Sequence, residues 1–165
     1  SMNEHDTRFA LAVVVDVQNL FYSAKHLHRA KVNFAKLLEK IVNGRQLIRA
    51  IAYVVQTKEI DQSGFLEMLE RNGYEVRSKD LKVRADGSSK GDWDMGIAVD
   101  AISLADRLDV IVLVSGDGDY VDLVNMLKSR GVRVEVNSFQ KSTAEELIKA
   151  ATEYYPIEKN LLLGA

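Results

Sequence analysis

Cysteine is absent, and proline occurs once, at Pro156. The first absence excludes disulfides, thiol nucleophiles and cysteine-ligated metal sites. The second leaves most of the chain free of obligatory helix and strand breaks. No linker, repeat or low-complexity segment is visible. No apolar run approaches the roughly 18 residues of a membrane span. The polar start at 3–7 and the short apolar run at 9–15 do not make a signal peptide, so a cytoplasmic protein is expected. Ser1 ahead of Met2 reads as a tag scar. Charge of one sign is also lacking, since 22 basic against 24 acidic residues give a net charge of −2. Such a balance gives no whole-molecule attraction to nucleic acid, so binding it needs a local patch. Histidine is sparse, and His5, His26 and His28 read as surface residues without a catalytic role. No G-x-G-x-x-G follows an apolar strand, which argues against dinucleotide chemistry.

What remains is a chain of 165 residues, 47% hydrophobic and 28% charged, the profile of an ordinary globular domain. We read 1–165 as a single domain with a core of about 9–155, long enough to bury its own interior. Apolar patterning predicts strands over about 9–16, 48–55, 74–78, 110–115 and 132–136. Helices are predicted over about 20–28, 33–42, 61–71, 93–108, 120–129 and 144–151, several stopped by Asn-Gly or Arg-Gly pairs. The stretch 79–91 reads as a polar loop with a short edge strand at 81–84. Alternating strands and helices predict an α/β fold, a three-layer α/β/α sandwich around a mainly parallel sheet of about five strands.

Two apolar runs end in acids. Val110-Ile-Val-Leu-Val runs into Ser115-Gly116-Asp117-Gly118-Asp119-Tyr120, and Phe9-Ala-Leu-Ala-Val-Val-Val runs into Asp16-Val-Gln-Asn19. Carboxylates at the ends of buried strands need partners or a metal. Gly116 and Gly118 suit a tight turn leaving the sheet. In open α/β sheets, ligands bind outside the carboxyl ends of the strands, where strand order reverses. If the two strands are neighbours, Asp16, Asp117 and Asp119 converge on one crevice. The plainer alternative is a helix cap at Asp16 and a mere turn at 115–120, but the repeated design favours a site.

A third acid group opens the helix after Lys90-Gly91. Asp92 suits an N-cap. Asp94 begins the small-residue stripe Ala98, Ala101, Ile102 and Ala105, which faces a core. Asp100 lies about 240° round the helix from Asp94, so the two cannot both point straight at one small site.

Taken together, Asp16-x-x-Asn19, Lys90-Gly91 with Asp94 and Ala98-Val99-Asp100, and the 115–120 turn resemble the NYN domain, and within it the bacterial LabA-like group. The similarity runs over about 9–155. NYN domains are similar to PIN-type nucleases, which hold Mg²⁺ or Mn²⁺ with acidic residues and cut RNA. The resemblance implies a PIN-like fold and a metal-dependent ribonuclease. It implies Asp16, Asp94, Asp117 and Asp119 as metal-site and catalytic acids, with Asn19 orienting water or substrate. The family's usual spacing from Lys-Gly lands on Asp92, whereas the spacing to Asp100 favours Asp94, so both stay open. Such clustered acids raise one another's pKa until a divalent cation relieves them. Asp16 and Asp117 are expected as primary ligands, with Asp119 and Asp94 binding directly, through water, or orienting the nucleophile.

Single-stranded RNA is the expected partner, and its phosphates need cations. Arg77, Lys79, Lys82, Arg84 and Lys90 fall in one segment with only Asp80 and Asp86 against them. This is either a basic rim that receives an RNA backbone or a solvated edge strand protected by lysines. Tyr22 and Trp93 could stack bases, though packing roles are favoured. Ser115 and Ser138 could contact phosphate, though serines near turns usually serve the turn. The main alternative function is a non-catalytic RNA- or protein-binding regulatory module of the same fold. A haloacid-dehalogenase-type phosphatase would need an acid where Gln18 stands, and a Toprim-like nuclease would need a glutamate where Asp16 stands. Oligomeric state is open.

Overall fold

A computed structural model describes residues 9–87 and 89–164, and for Ser89 and Lys90 the backbone alone. The chain runs β1 (Ala10–Asp16), α1 (Val17–His28), α2 (Phe34–Val42), β2 (Gln46–Gln56), α3 (Ser63–Arg71) and β3 (Glu75–Asp80). A small ribbon follows, β4 (Lys82–Val83) and β5 (Ser89–Lys90). Then come α4 (Asp94–Leu104), β6 (Val110–Val114), α5 (Val121–Ser129), β7 (Arg133–Ser138), α6 (Glu145–Ala150) and β8 (Glu153–Pro156).

The main sheet has six strands in the order β3-β2-β1-β6-β7-β8, all parallel. The chain builds outward from β1 to β3, then crosses back and builds outward on the other side from β6. The order reverses between β1 and β6. That pairing is in register from Leu11↔Val110 to Val15↔Val114.

Side-chain alternation makes two cores. Leu11, Val13, Val15, Val110, Val112 and Val114 bury against α1, α2 and α3. Ala12, Val14, Ile51, Tyr53, Ile111 and Leu113 bury against α4, α5 and α6. Each Val or Leu so buried contributes roughly 1.5–3 kcal/mol. The helices match their sides: Phe34, Leu37, Leu38 and Ile41 of α2 form one stripe, and Ile97 and Ala101 of α4 form another. By the same alternation, Asp16 continues the Ala12–Val14 side, and Ser115 continues the Ile111–Leu113 side. Both therefore face α4, α5 and α6.

The three-layer sandwich is as expected, with one more strand than predicted. β8 is four residues long and ends on Pro156, so it carries too little pattern to read. Its proline is tolerated because it stands at the end of an edge strand. The helix expected over 93–108 stops at Leu104 and tightens into a 3₁₀ turn over Ala105–Arg107. The edge strand expected at 81–84 is half of the β4–β5 ribbon, which leads from the carboxyl end of β3 into α4. Among the described residues, no helix is long and apolar enough to cross a membrane.

Candidate metal centre

Three carboxylates converge just beyond the β1–β6 switch point. Asp94, Asp117 and Asp119 each offer an oxygen, and these oxygens all lie within 4.8 Å of one another. Asp94 comes from the first residue of α4. Asp117 and Asp119 come from the turn after β6, where Asp117 Oδ1 accepts from the Asp119 amide at 2.9 Å. Asp94 and Asp117 are half-buried and Asp119 is exposed, so the cluster opens to solvent on one side.

Asp16 lies one layer below. It is 8% exposed, and both its oxygens are engaged inside the protein. Oδ1 accepts from the Asn19 amide at 3.3 Å, which caps α1. Oδ2 accepts from Ser115 Oγ at 3.2 Å and from the Tyr120 hydroxyl at 3.3 Å. The same Tyr120 hydroxyl stands 3.0 Å from Asp94 Oδ1. One phenol proton is thus shared between the buried acid and a member of the cluster.

The turn is tied down from both sides. Asn19 Oδ1 accepts from the Gly116 amide at 3.0 Å, and Ser115 Oγ accepts from the Asp117 amide at 3.2 Å. Gly116 and Gly118 are required for closeness rather than for an unusual φ, since neither adopts a positive one. A Cβ on Gly116 would stand 2.8 Å from the Ser142 carbonyl oxygen and 2.8 Å from Thr143 Oγ1. One on Gly118 would stand 2.8 Å from Glu146 Oε1 and 3.0 Å from the Ala144 methyl.

Electrostatics follow from this burial. Desolvation pushes the Asp94 carboxyl up to about 6, with Asp117, Asp92 and Asp16 adding like-charge repulsion against the Tyr120 hydrogen bond. Burial likewise raises Asp16, although its hydrogen bonds from Asn19, Ser115 and Tyr120 oppose the shift. Burial and the surrounding carboxylates hold the Tyr120 hydroxyl protonated far above the usual phenol range. A tyrosine that keeps its proton remains a donor to both acids at any working pH.

Asp94 joins the cluster, while Asp92 accepts from the Asp94 amide at 3.1 Å and serves the start of α4. Asp100 turns away, accepting from the Tyr53 hydroxyl at 2.7 Å and pairing with Arg77. The expected primary ligand Asp16 is outside the converging trio, because its oxygens are spent on the cap, Ser115 and Tyr120. Ser115, expected to meet substrate, is fully buried and instead braces Asp16 and the turn. Asn19 spends its carbonyl on Gly116 and straps β1 to the β6 turn.

Lys82 and Arg84 are exposed on and just after β4. Lys90 lies in β5, and its side chain falls outside the described residues, as does His5. Trp93 packs: its Nε1 donates to the Val54 carbonyl at 2.9 Å, and Arg77 and Lys79 cover its ring at 5.2 and 4.5 Å. Tyr22 is 64% exposed and stacks on His26. Ser138 is buried, its hydroxyl against Thr143 and Tyr154.

Sequence reasoning missed two residues. Tyr120 was visible only as the end of the turn motif, because its partners lie 26 and 104 residues away. Glu146, near the start of α6, brings a further exposed carboxylate against Gly118.

The donor set at the cluster is all carboxylate oxygen, the hard-ligand chemistry that suits Mg²⁺ or Mn²⁺. Three carboxylates with oxygens within 4.8 Å of one another, one of them pushed up to about 6, fit a divalent cation that would relieve their repulsion.

Comparison with known proteins agrees with this architecture. The chain is 30% identical over 152 residues to the low amplitude and bright protein LabA of Synechococcus elongatus, covering 87% of this chain and 81% of that one. A crystal structure of a protein of unknown function from Vibrio parahaemolyticus superposes with a TM-score of 0.88 at 33% identity, covering 99% of this chain and all of the other. The model of the NYN domain matches residues 10–158. With the family model spanning nearly the whole described chain, this protein belongs to the NYN domain family.

Proposed function

We propose that this protein is a metal-dependent ribonuclease that hydrolyses phosphodiesters of single-stranded RNA in the cytoplasm. The observation that carries the reading is the convergence of Asp94, Asp117 and Asp119 at the carboxyl ends of the switch-point strands. These three would hold Mg²⁺ or Mn²⁺, which when bound polarises a phosphate oxygen and makes water a better nucleophile at neutral pH.

The chain's own residues do the rest. Asp119, the exposed member, faces incoming substrate and orients the attacking water. Asp94, whose carboxyl is pushed up to about 6 without a cation, would ionise to join Asp117 and Asp119 as a ligand. Asp16 acts through others: with Ser115 and Tyr120 it fixes Asp94 and the 115–120 turn in place. Asn19 holds the same turn from the α1 side. Lys82, Arg84 and Lys90, with Lys79 behind them, receive the phosphate backbone on the ribbon that leads into α4.

The test is cleavage of end-labelled single-stranded RNA with Mn²⁺, Mg²⁺ or EDTA. Wild type is expected to cut only with metal, and Asp94→Asn and Asp117→Asn to lose at least a hundredfold in rate with folding intact. No cleavage of several RNAs by wild type, together with no Mn²⁺ binding by calorimetry, would sink the reading and favour a non-catalytic module of the same fold.

A further inference from the structure

A second polar concavity lies on the opposite face of the sheet from the carboxylate cluster. It has a volume of about 210 Å³ and is lined by Lys40, Ile41, Arg45, Glu135, Asn137 and Tyr155, with Asn43 and Arg133 completing its wall. Val134 and Val136 bury against α5 and α6, so their neighbours Glu135 and Asn137 point the other way. The register Glu135↔Glu153 and Asn137↔Tyr155 puts Tyr155 on that same side. No residue of β7 or β8 joins the apolar core there, so this part of the sheet carries polar groups under the end of α2.

Ion pairs brace the floor. Arg45 forms a two-pronged pair with Glu135 at 2.9 and 3.0 Å, with side chains 6% and 3% exposed. Arg133 braces Glu135 at 3.2 Å, reaches Glu153 at 3.6 Å and lies against Tyr155. Two groups stay unused. Asn137 is 9% exposed and lines this cavity, and among the described residues its side-chain amide has no hydrogen-bond partner. Its polar atoms reach solvent at the cavity wall, so a ligand can meet them without breaking an existing hydrogen bond. Lys40, at the rim, has no ion-pair partner among the described residues.

We propose that this cavity binds a purine nucleoside monophosphate, its base against Asn137 and Tyr155 and its phosphate at Lys40. The chemistry of the unused groups selects that class. An amide offers a donor and an acceptor side by side, the pattern that pairs with a purine edge. Tyr155 is 41% exposed and presents a ring for stacking. Lys40 is a point charge suited to a phosphate. At about 210 Å³ the cavity is smaller than the roughly 300–1,000 Å³ of drug-sized sites, so it takes in the base alone and leaves ribose and phosphate at the Lys40 rim. The inference does not depend on the ribonuclease reading, since the two sites share no residue and lie on opposite faces of the sheet.

The experiment is calorimetric titration of the full chain with AMP, adenosine and inorganic phosphate. Wild type, Lys40→Ala, Asn137→Leu and Asp117→Asn are compared, with near-ultraviolet circular dichroism as a folding control. AMP is expected to bind wild type and Asp117→Asn alike, and to bind Lys40→Ala and Asn137→Leu at least tenfold more weakly. Adenosine and phosphate alone are each expected to bind wild type at least tenfold more weakly than AMP. Lys40 is exposed, so its variant keeps the fold and tests the proposal even if Asn137→Leu misfolds. No AMP binding up to millimolar concentration overturns the proposal. So does phosphate binding as tightly as AMP, AMP binding unchanged in Lys40→Ala or in a folded Asn137→Leu, or AMP binding lost in Asp117→Asn.

Discussion

At the scale of single residues, Tyr120 and Asp94 govern how the candidate site responds to pH. The carboxyl of Asp94 is raised from 3.8 to about 6 in the folded chain, so between those values the folded protein binds more protons than the unfolded one. The stability of the metal-free protein is therefore expected to fall as pH rises from about 4 to about 6. Thermal denaturation in EDTA checks this, and Asp94→Asn should remove part of the slope. The part left in the variant belongs to Asp16, which is raised by burial in the same direction. A divalent cation needs the ionised form, so Mn²⁺ affinity is expected to rise over the same window and level off above about pH 7. An affinity that is flat from pH 5 to 8 would show that Asp94 takes no part. The sequence put Asp94 at the head of the stripe that α4 buries but left it open against Asp92. The role of Tyr120 was not, because a hydroxyl that serves two acids is a fact of tertiary packing and leaves no local pattern.

At the scale of elements, the β6–α5 turn depends on its closeness to the segment before α6. A methyl on Gly116 would press on a backbone carbonyl, which cannot give way without moving the 142–144 stretch. A methyl on Gly118 would press chiefly on the far end of the exposed Glu146 side chain, which can swing aside. Gly116→Ala is thus expected to cost about 1–3 kcal/mol in denaturant unfolding and to weaken Mn²⁺ binding, with Gly118→Ala distinctly milder. Equal losses would mean that the turn is constrained by something other than this contact. The sequence suggested glycines for turning, and the turn exists. Their actual requirement, room for a neighbouring segment 26 residues on, could not be read without knowing that α6 packs there. Long apolar runs made β1, β2, β6 and β7 legible, whereas β8, four residues ending on a proline, offered no periodicity to find.

At the scale of the whole molecule, a net charge of −2 and pI ≈ 5.9 mean that the proposed RNA binding would have to rest on a local patch. Arg77 is committed to Asp100, so the proposed reading assigns the phosphates to Lys79, Lys82, Arg84 and Lys90. For single-stranded RNA, four such contacts give a slope of log affinity against log salt of about −3. The double variant Lys82→Gln with Arg84→Gln is expected to flatten it to about half. A slope steeper than about −6 would point to a much larger cationic surface than this ribbon. The layered architecture was legible from alternation alone, but which strands are neighbours was not, and the convergence of the acids rests on that adjacency. The strand order has one more consequence, for the time course of synthesis. β1 leaves the ribosome early, yet its neighbour on one side, β6, begins at Val110, and the Ser115–Asp16 and Tyr120–Asp16 contacts close loops of 99 and 104 residues. Non-local pairing of this kind forms late. A growing chain cannot assemble the carboxylate trio until Asp119 has emerged, so a shorter nascent polypeptide beside ribosomal RNA and messenger carries no completed centre.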